Sequence, residues 1–264
     1  DGPIPFKTFT FPDGQPHIEL QVEGHLKDSE PVTIEAAIRN PAELFEVSLA
    51  GDTLNRAGYC PDLDIRYLMG ARMDRAINNR SPFTLKIVAD TLKTGMFRKV
   101  RVLDLHSEET TKLLNATAVY PTSILAEVLR YYPPEETTIV VPDKGALARV
   151  SHIPLSHQKC LYKGIHGMKI RDVNTGNLTM FDIDYPDRAK DKNCFIIDDI
   201  CDGGRTFISC ANILKEFFGK DIEIELTVYH AFMSHGIESI KASGISNINI
   251  INKYSYNYCI SQFD

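Results

Sequence analysis

The chain has 264 residues and a formal net charge of −6, with charged residues of both signs spread along its length. This length suffices for one large α/β domain or two smaller ones with a sizeable core. Because the sequence is acidic and carries no basic block, a dedicated nucleic-acid surface is excluded, although a compact anionic ligand could still be held locally.

The cysteines and the hydropathy pattern favour a cytoplasmic protein. The six cysteines have neither a C-x-x-C pair nor zinc-type spacing, which favours reduced thiols over a metal site. No apolar run approaches the ~20 residues that a membrane span needs. The opening residues, DGPIPFKTF, lack the apolar segment of a signal peptide. We therefore expect a soluble, cytoplasmic chain without membrane contact.

The first part of the chain predicts a hairpin followed by alternating strands and helices. Two β-prone runs flank Asp13 and Gly14, a strong turn dipeptide. PVTIEAAI predicts a strand, PAELFEVSLAGDTLNRAG a helix that begins at Pro41, and LDIRYLMG a second strand. SPFTLKIVADTLKTG predicts an amphipathic helix with Ser81 as its N-cap and Gly95 at its end.

The alternation continues to the end of the chain. KVRVLDLH predicts a strand, TSILAEVLRYY a helix, TTIVVPDKG a strand and loop, NCFIIDDI a strand, GRTFISCANILKEFFG a helix, and IEIELTVYHAFM a strand. KASGISNINIINKY predicts the last strand. Strands separated by helices indicate open parallel sheets with right-handed crossovers. A boundary near Tyr120 divides the chain into two α/β domains, residues 1–120 and 121–264.

Polar side chains follow four of the predicted strands. In open parallel sheets, ligands bind beyond the carboxyl ends of the strands, so these positions are candidates for one or more sites. The four groups are Arg72, Asp74 and Arg75 after the second strand, Asp104 and His106 after the third, Asp143 and Lys144 after TIVV, and Asp198 and Asp199 after CFII.

Each of these groups has a functional and a structural interpretation. Arg72 and Arg75 suit phosphate oxygens, which take forked, charge-assisted hydrogen bonds, but surface ion pairs with Asp74 or a neighbouring helix would also explain them. His106 and Asp143 could ligate a hard divalent cation such as magnesium. A histidine after a strand also serves as a capping or packing residue.

The segment FIIDDICDGGRTF has the richest chemistry. Its glycines allow backbone N–H groups to approach an anion at the start of the following helix, and Thr206 adds a hydroxyl. Asp198 and Asp199 could accept hydrogen bonds from vicinal hydroxyls of a sugar. Capping of the helix by Asp199 or Asp202 would explain one aspartate but not three.

DDICDGGRT resembles the phosphoribosyl-diphosphate loop shared by type I phosphoribosyltransferases and ribose-phosphate diphosphokinases. Further segments resemble the diphosphokinases alone. These segments are FPDGQPHIELQ (F-x-D-G-E), RYLMGARMDR (P-Y-x-x-x-A-R-Q-D-R), SPFTLKIVADTLKTG, VLDLHSEE (D-L-H-x-x-Q), VVPDKGALAR (S-P-D-x-G-x-x-x-R) and YHAFMSHGIESIKASGISNINIINKY (T-H-x-x-F-S). They run in order from about residue 9 to residue 254, and a phosphoribosyltransferase would lack the earlier ones.

The resemblance implies a fold, an activity and partners. The fold would be two tandem open parallel-sheet domains of the phosphoribosyltransferase type. The activity would be magnesium-dependent transfer of the β,γ-diphosphate of ATP to the anomeric C1 hydroxyl of a ribose 5-phosphate unit, with release of AMP. The partners would be ATP, a ribose-phosphate acceptor and further copies of the chain, with the ATP site at a subunit interface. A type I phosphoribosyltransferase and an inactive nucleotide-binding regulator are the alternatives.

The resemblance also implies roles for individual residues. ATP would be bound by Phe11, Asp13, Gln15, Arg72, Asp74 and Arg75. Magnesium would be held by His106, which is also a catalytic residue, and by Asp143. The ribose-phosphate acceptor would be bound by Asp198, Asp199, Asp202, Gly203, Gly204, Arg205 and Thr206. The catalytic loop matches MKIRDVNTGNLTMFDI, which makes Lys169 and Arg171 the catalytic pair, with Lys163 as the competing lysine.

The sequence departs from the family pattern at the ATP contacts and in the phosphate loop. Gln15 replaces a glutamate and Met73 a glutamine. Where the family usually has D-T-x-G-T, this chain has Gly203 in place of the first threonine and Arg205 as an added cation. The change would suit an acceptor with a substituted 5-phosphate, such as ADP-ribose. Alternatively, Arg205 compensates for the lost threonine and ribose 5-phosphate remains the acceptor.

Overall fold

A computed structural model describes most of the chain as two compact units. The described residues are 3–24, 26, 31–142, 146, 150, 165–171, 178–183, 192–251 and 258–262, of which 165–171, 178–183 and 258–262 are described by their backbone alone. Contacts divide the chain into Asp1–Val119 with Tyr254–Asp264, and Tyr120–Lys253. Among the described helices, none is both long and apolar enough to cross a membrane.

The first unit begins with a β-hairpin. Strands β1 (Phe6–Thr10) and β2 (Pro16–Leu20) pair in antiparallel register. The connecting turn is closed by the Gly14 N–H, which donates to the Phe11 carbonyl at 2.8 Å. Gly14 has a φ of +90°, which residues with a side chain rarely adopt. The predicted hairpin around Asp13 and Gly14 is confirmed.

The rest of the first unit is a five-stranded sheet with its helices. The sheet has the order β13-β3-β4-β5-β6, in which β3 to β6 are parallel neighbours and β13 is antiparallel to β3. Its strands are β3 (Val32–Ile38), β4 (Asp62–Leu68), β5 (Val100–Leu103), β6 (Thr117–Val119) and β13 (Tyr258–Gln262). Its helices are α1 (Pro41–Arg56), α2 (Thr84–Lys93) and α3 (Glu109–Leu114).

Helix α1 packs closely against the C-terminal end of α2. A Cβ at Gly51, in the middle of α1, would lie 2.4 Å from the Gly95 carbonyl oxygen and 2.9 Å from the Phe97 ring. The Asn55 side-chain amide, one turn later, donates to the Gly95 carbonyl at 3.0 Å and to the Met96 carbonyl at 3.2 Å. This contact therefore depends on a residue without a side chain at position 51.

The second unit is a six-stranded sheet with the order β12-β11-β10-β7-β8-β9. Neighbours are parallel except β8 and β9, which form an antiparallel pair. Its strands are β7 (Thr137–Val141), β8 (Ile165–Arg171), β9 (Leu178–Ile183), β10 (Asn193–Cys201), β11 (Glu223–Ala231) and β12 (Ile245–Ile250). Its helices are α4 (Thr122–Leu129), α5 (Arg205–Phe218) and α6 (Glu238–Ala242).

Strand β10 is buried on both faces. Cys194 and Ile196 belong to an apolar cluster with Phe207, Cys210, Ala211 and Leu214 of α5. Phe195 and Ile197 belong to a second cluster with Leu125 and Leu129 of α4. An unbroken apolar run is what a parallel strand with helices on both faces requires. The predicted α/β class with parallel sheets is confirmed.

The C-terminal strand corrects two predictions. The last strand is β13 rather than the KASGISNINIINKY segment, and β13 pairs with β3 of the first unit. The assignment of all residues from 121 to 264 to the second domain is therefore wrong at its end. The physical reason lies in β3, whose residues are nearly all buried, so the strand needs a neighbour on each edge.

The start of α2 corrects a third prediction. The helix begins at Thr84 with Phe83 at the N-cap position and no side-chain capping bond. Ser81, the predicted N-cap, instead accepts hydrogen bonds from the Ile77 and Asn78 N–H groups, both at 3.0 Å. Its hydroxyl therefore closes the preceding turn and is not available to the helix.

We expect Gly51→Ala to destabilise the chain by about 1–3 kcal/mol, the usual cost of overpacking. Helix propensity alone would predict the opposite, a gain of about 0.5–1 kcal/mol. The new methyl group would meet the Gly95 backbone, which cannot rotate away. The free energy of unfolding from chemical denaturation measures the effect. Asp52→Ala, at the exposed neighbouring position, is the control, and a stabilised Gly51→Ala variant would contradict the close packing of α1 on α2.

Candidate functional site

Asp198 and Asp199 lie inside β10 and are buried. The predicted strand NCFIIDDI, which contains both aspartates, is confirmed, and β10 extends one residue further to Cys201. Asp198 is 7% exposed and Asp199 4%, and the Asp199 N–H donates to Asp198 Oδ1 at 3.0 Å. The described pairing of β10 with β7 stops at Ile196, whereas its pairing with β11 continues to the end. The two aspartates therefore occupy the carboxyl end of a central strand.

The two carboxylates belong to opposite faces of the sheet. Successive residues of a strand alternate between faces. Asp198 follows Cys194 and Ile196, which pack with α5, and Asp199 follows Phe195 and Ile197, which pack with α4. A ligand at the end of β10 would thus meet one aspartate from each side of the strand.

The loop after β10 leads directly into α5. Gly204 is the N-cap, with φ at +75°, and a Cβ there would lie 2.6 Å from the Ile240 side chain. Both the backbone angle and the contact require glycine. No side chain caps α5, so the alternative interpretation of Asp199 or Asp202 as its cap is wrong.

The remaining loop residues differ in exposure. Asp202, Gly203 and Thr206 are half-buried, whereas Arg205, the first residue of α5, is exposed. The Phe207 and Ile208 N–H groups both donate to the Gly204 carbonyl at 3.0 Å, which closes the first turn of the helix. The N–H groups of the earlier residues point toward the preceding loop, where an anion can bind.

Cys201 is the last residue of β10 and lies between Asp199 and Asp202 in the sequence. Its thiol is fully buried. Burial raises the pKa of the Cys201 thiol to about 12, and the negative charges of Asp198 and Asp202 add to this increase. The thiol therefore stays protonated at neutral pH and is not a nucleophile.

The hairpin tip presents an exposed aromatic ring beside a pair of polar side chains. Phe11 is 45% exposed and lies edge-on to Phe9, with 5.1 Å between ring centroids. The Gln15 side-chain amide donates to Asp13 Oδ2 at 3.1 Å, and the Gln15 N–H donates to Asp13 Oδ1 at 3.2 Å. A glutamate at position 15 would place a second negative charge at the first of these contacts.

The arginine segment after β4 is exposed and is attached to α2. Arg72 and Arg75 are exposed and Asp74 is half-buried. The Leu85 N–H, in the first turn of α2, donates to the Met73 carbonyl at 3.1 Å. The start of the helix therefore holds the backbone between the two arginines.

The residues after β5 combine burial with an unusual backbone angle. Asp104 is 3% exposed and has a φ of +46°, in the left-handed region, and its N–H donates to the Val119 carbonyl at 2.8 Å. His106 is half-buried two residues later. Asp104 was noted in the sequence only as the end of a strand, and its backbone angle could not be predicted from that pattern.

The predicted catalytic pair lies on a strand rather than in a loop. Lys169 and Arg171 belong to β8, which pairs in antiparallel register with β9. The loop prediction for this segment is wrong at these two positions, because antiparallel pairing continues as far as Arg171. Asp143 and the competing Lys163 lie outside the described residues.

The candidate residues thus form separate groups within the two units. The first unit contains Phe11, Asp13, Gln15, Arg72, Asp74, Arg75 and His106. The second contains Lys169, Arg171 and the contiguous segment from Asp198 to Thr206. Across the described ranges, no group of three or more histidine, cysteine, aspartate or glutamate side chains could hold a metal ion together.

Sequence reasoning missed one residue that borders this segment. A Cβ at Gly203 would lie 3.0 Å from Cδ2 of His235, an exposed residue in the turn after β11. The only signal in the sequence was a histidine beside a glycine just beyond a strand end.

A cavity of about 720 Å³ lies at the opposite edge of the same sheet. It is lined by residues at the amino ends of β7, β10 and β11, among them Glu136, Asn193 and Glu223, and by Tyr131 and Tyr132. It includes none of the candidate site residues. The chemistry predicted from the sequence is concentrated at the carboxyl edge instead.

Comparisons with known proteins agree on one family. A ribose-phosphate pyrophosphokinase of Pyrococcus abyssi is 27% identical over 253 residues, which cover 92% of this chain and 81% of the relative. One of Thermococcus kodakarensis is 24% identical over 245 residues, covering 92% and 83%. The chain is thus similar to ribose-phosphate pyrophosphokinases over most of its length. A scan against models of known protein families finds no match.

A solved structure shows the same fold. The phosphoribosylpyrophosphate synthetase of Mycobacterium smegmatis superposes with a TM-score of 0.67 at 19% identity, over 86% of this chain and 73% of that chain. The predicted resemblance to ribose-phosphate diphosphokinases is therefore confirmed, as is the enzyme class of diphosphotransferase. The individual site residues stay predictions.

For this pyrophosphokinase homologue we expect stability to fall at alkaline pH in part through Cys201. The thiol has a raised pKa in the folded state, so its contribution to stability is fully present below the unfolded pKa of about 8.5. That contribution is lost as the pH rises toward about 12. Free energies of unfolding from pH 7 to 10.5 should therefore decrease more steeply for the wild type than for Cys201→Ala. Cys60→Ala, which removes an exposed thiol, is the control and should match the wild-type slope. Equal slopes for all three proteins would contradict the prediction.

Proposed function

We propose that the chain transfers the β,γ-diphosphate of ATP to the anomeric C1 hydroxyl of a ribose 5-phosphate unit and releases AMP. One observation carries this proposal. Two buried aspartates at the carboxyl end of β10 continue through a glycine loop into the N-terminus of α5. The names of the relatives, ribose-phosphate pyrophosphokinase, support the same reaction.

Asp198 and Asp199 would hold the sugar. A carboxylate accepts hydrogen bonds, and the vicinal hydroxyls of a ribose can donate them. Since the two side chains belong to opposite faces of β10, we propose that the ring lies across the end of the strand and receives one carboxylate from each side. This arrangement would orient the C1 hydroxyl for attack.

The loop from Asp202 to Thr206 would hold the 5-phosphate. Backbone N–H groups and the helix dipole at the start of α5 favour an anion there. Gly204 allows the backbone to approach closely, and the exposed Arg205 adds a positive charge. These features suit a single phosphate as well as the first phosphate of a diphosphate.

ATP would be bound by residues of the first unit. The exposed ring of Phe11 offers a surface on which an adenine can stack, with Asp13 and Gln15 beside it. Arg72, Arg75 and the intervening Asp74 would contact the phosphates. We propose that other copies of the chain contribute to this site, as the sequence resemblance implies.

Catalysis would depend on positioning and on positive charge. Attack at the β-phosphorus increases negative charge on the phosphate oxygens, which Lys169 and Arg171 would stabilise. Magnesium, when bound, would neutralise part of the same charge. It commonly takes only one or two protein ligands, for which His106 and Asp143 have suitable donor atoms.

The proposal is tested by incubating the chain with magnesium and ATP and measuring AMP release with each of two acceptors. We expect AMP with ribose 5-phosphate, with ADP-ribose, or with both, because both present a free anomeric hydroxyl and a phosphate at the 5 position. No AMP with either acceptor would contradict the proposal. Release of AMP with ribose 5-phosphate but not with ADP-ribose would contradict the hypothesis that the acceptor carries a substituted 5-phosphate.

We expect Asp198→Asn and Asp199→Asn each to reduce kcat/KM for the acceptor by about ten- to a hundredfold, the worth of a hydrogen bond to a charged group. The KM for ATP should stay near the wild-type value. Asp221→Asn, an exposed aspartate beside the cavity at the far edge of the sheet, is the matched control. If this control and the two variants gave the same kcat/KM, the proposed sugar contacts would be wrong. Thermal unfolding checks that each variant is folded.

A further inference from the structure

The turn after β11 is held against the end of β10. The Phe232 N–H donates to the Cys201 carbonyl at 2.8 Å, and the Cys201 thiol donates to the Met233 sulfur at 3.6 Å. The Gly236 N–H donates to the Met233 carbonyl at 2.8 Å and closes the turn. His235 therefore lies in a hydrogen-bonded turn beside the loop from Asp202 to Thr206, called here the acceptor loop.

Different features of the structure explain the absence of a side chain at Gly203 and at Gly204. Gly204 is required by its left-handed φ of +75°. Gly203 is not among the glycines with positive φ, so its backbone conformation would accept a side chain. A Cβ at Gly203 would instead meet the His235 imidazole, 3.0 Å from Cδ2 and 3.4 Å from Nε2. The ring of His235 thus borders the space that a side chain at position 203 would occupy.

An imidazole in this position can replace a hydroxyl donor. His235 is exposed, and at least one ring nitrogen carries a hydrogen in either protonation state. The ring borders the loop that leads from Asp202 to the N-terminus of α5, where backbone N–H groups favour an anion. A phosphate in this loop would therefore lie within reach of a side-chain donor, His235, from the turn after β11.

We propose that His235 is an acceptor-binding residue, which donates a hydrogen bond to the phosphate at the 5 position of the acceptor. It occupies the place of a side chain at position 203 and determines how the loop receives that phosphate. The inference rests on the proposed function, because it assigns the phosphate of the same acceptor.

The first test separates hydrogen bonding from packing at position 235. His235→Ala and His235→Phe should raise the KM for the acceptor by about ten- to a hundredfold, as expected for a lost hydrogen bond to a charged group. His235→Gln keeps an N–H donor and should stay within about threefold of the wild type. The kcat and the KM for ATP should change little. Ser234→Ala, at an exposed position in the same turn, is the control. A wild-type KM for His235→Phe would overturn the proposal, since it would leave only a packing role.

The second test asks whether positions 203 and 235 share one space. Gly203→Thr alone should raise the acceptor KM, because the new side chain displaces the His235 ring. In the His235→Ala background the same threonine should lower the KM again, because its hydroxyl can reach the phosphate. If the fold-changes in acceptor KM of the two single variants multiply to give that of the double variant, the two substitutions act independently. That result would contradict the proposal that positions 203 and 235 share one space.

The outcome also distinguishes this inference from the proposed function. If the wild type releases no AMP with ribose 5-phosphate or ADP-ribose, the proposed function fails and the inference fails with it. If the wild type is active and His235→Ala has the same acceptor KM as Ser234→Ala, the inference alone fails. Both acceptors carry a phosphate at the 5 position, so the KM should rise for whichever one the wild type uses.

Discussion

The candidate site of the second unit depends on two aspartates placed at the buried end of a strand. Charged groups in such a position are costly unless hydrogen-bond donors or cations compensate them. The surrounding sequence is consistent with that constraint, since β10 is apolar on both faces up to Asp198, and helices cover both sides. A glycine at the start of α5 then brings backbone N–H groups close to the carboxyl edge. The fold thus concentrates its polar chemistry at one edge and leaves the rest of the strand as core.

Most of the architecture could be predicted because parallel sheets leave a clear local pattern. Runs of β-prone residues such as FKTFT, VTIEAAI and CFII indicate strands whatever their neighbours are, and the apolar face of helix α5 has a regular period. The errors occurred where structure depends on a partner. Ser81 bonds to the preceding turn, β8 extends because β9 pairs with it, and β13 exists because β3 has a free edge.

The candidate site follows the same rule. Residues from Asp198 to Thr206 are contiguous, so the sequence alone could identify them as a group. His235 is 32 positions from Gly203, and their contact depends on a turn fixed by hydrogen bonds to Cys201. Gln15 is a further case, because its amide has a clear purpose only beside the Asp13 carboxylate. Resemblance to a family identifies the positions that match it, whereas the contacts show how the positions that differ are accommodated.

The pairing of β13 with β3 bears on the order in which the chain can fold during synthesis. The second unit is one continuous stretch, Tyr120–Lys253, whereas the first takes its outer strand from the far end of the chain. A ribosome must therefore synthesise the whole second unit before the edge of β3 receives its neighbour, although β3 emerges earlier. By that time all the described strands of the second unit have been synthesised, whereas β3 of the first unit still has an unpaired edge. Exposed strand edges of this kind can pair with other chains and cause aggregation.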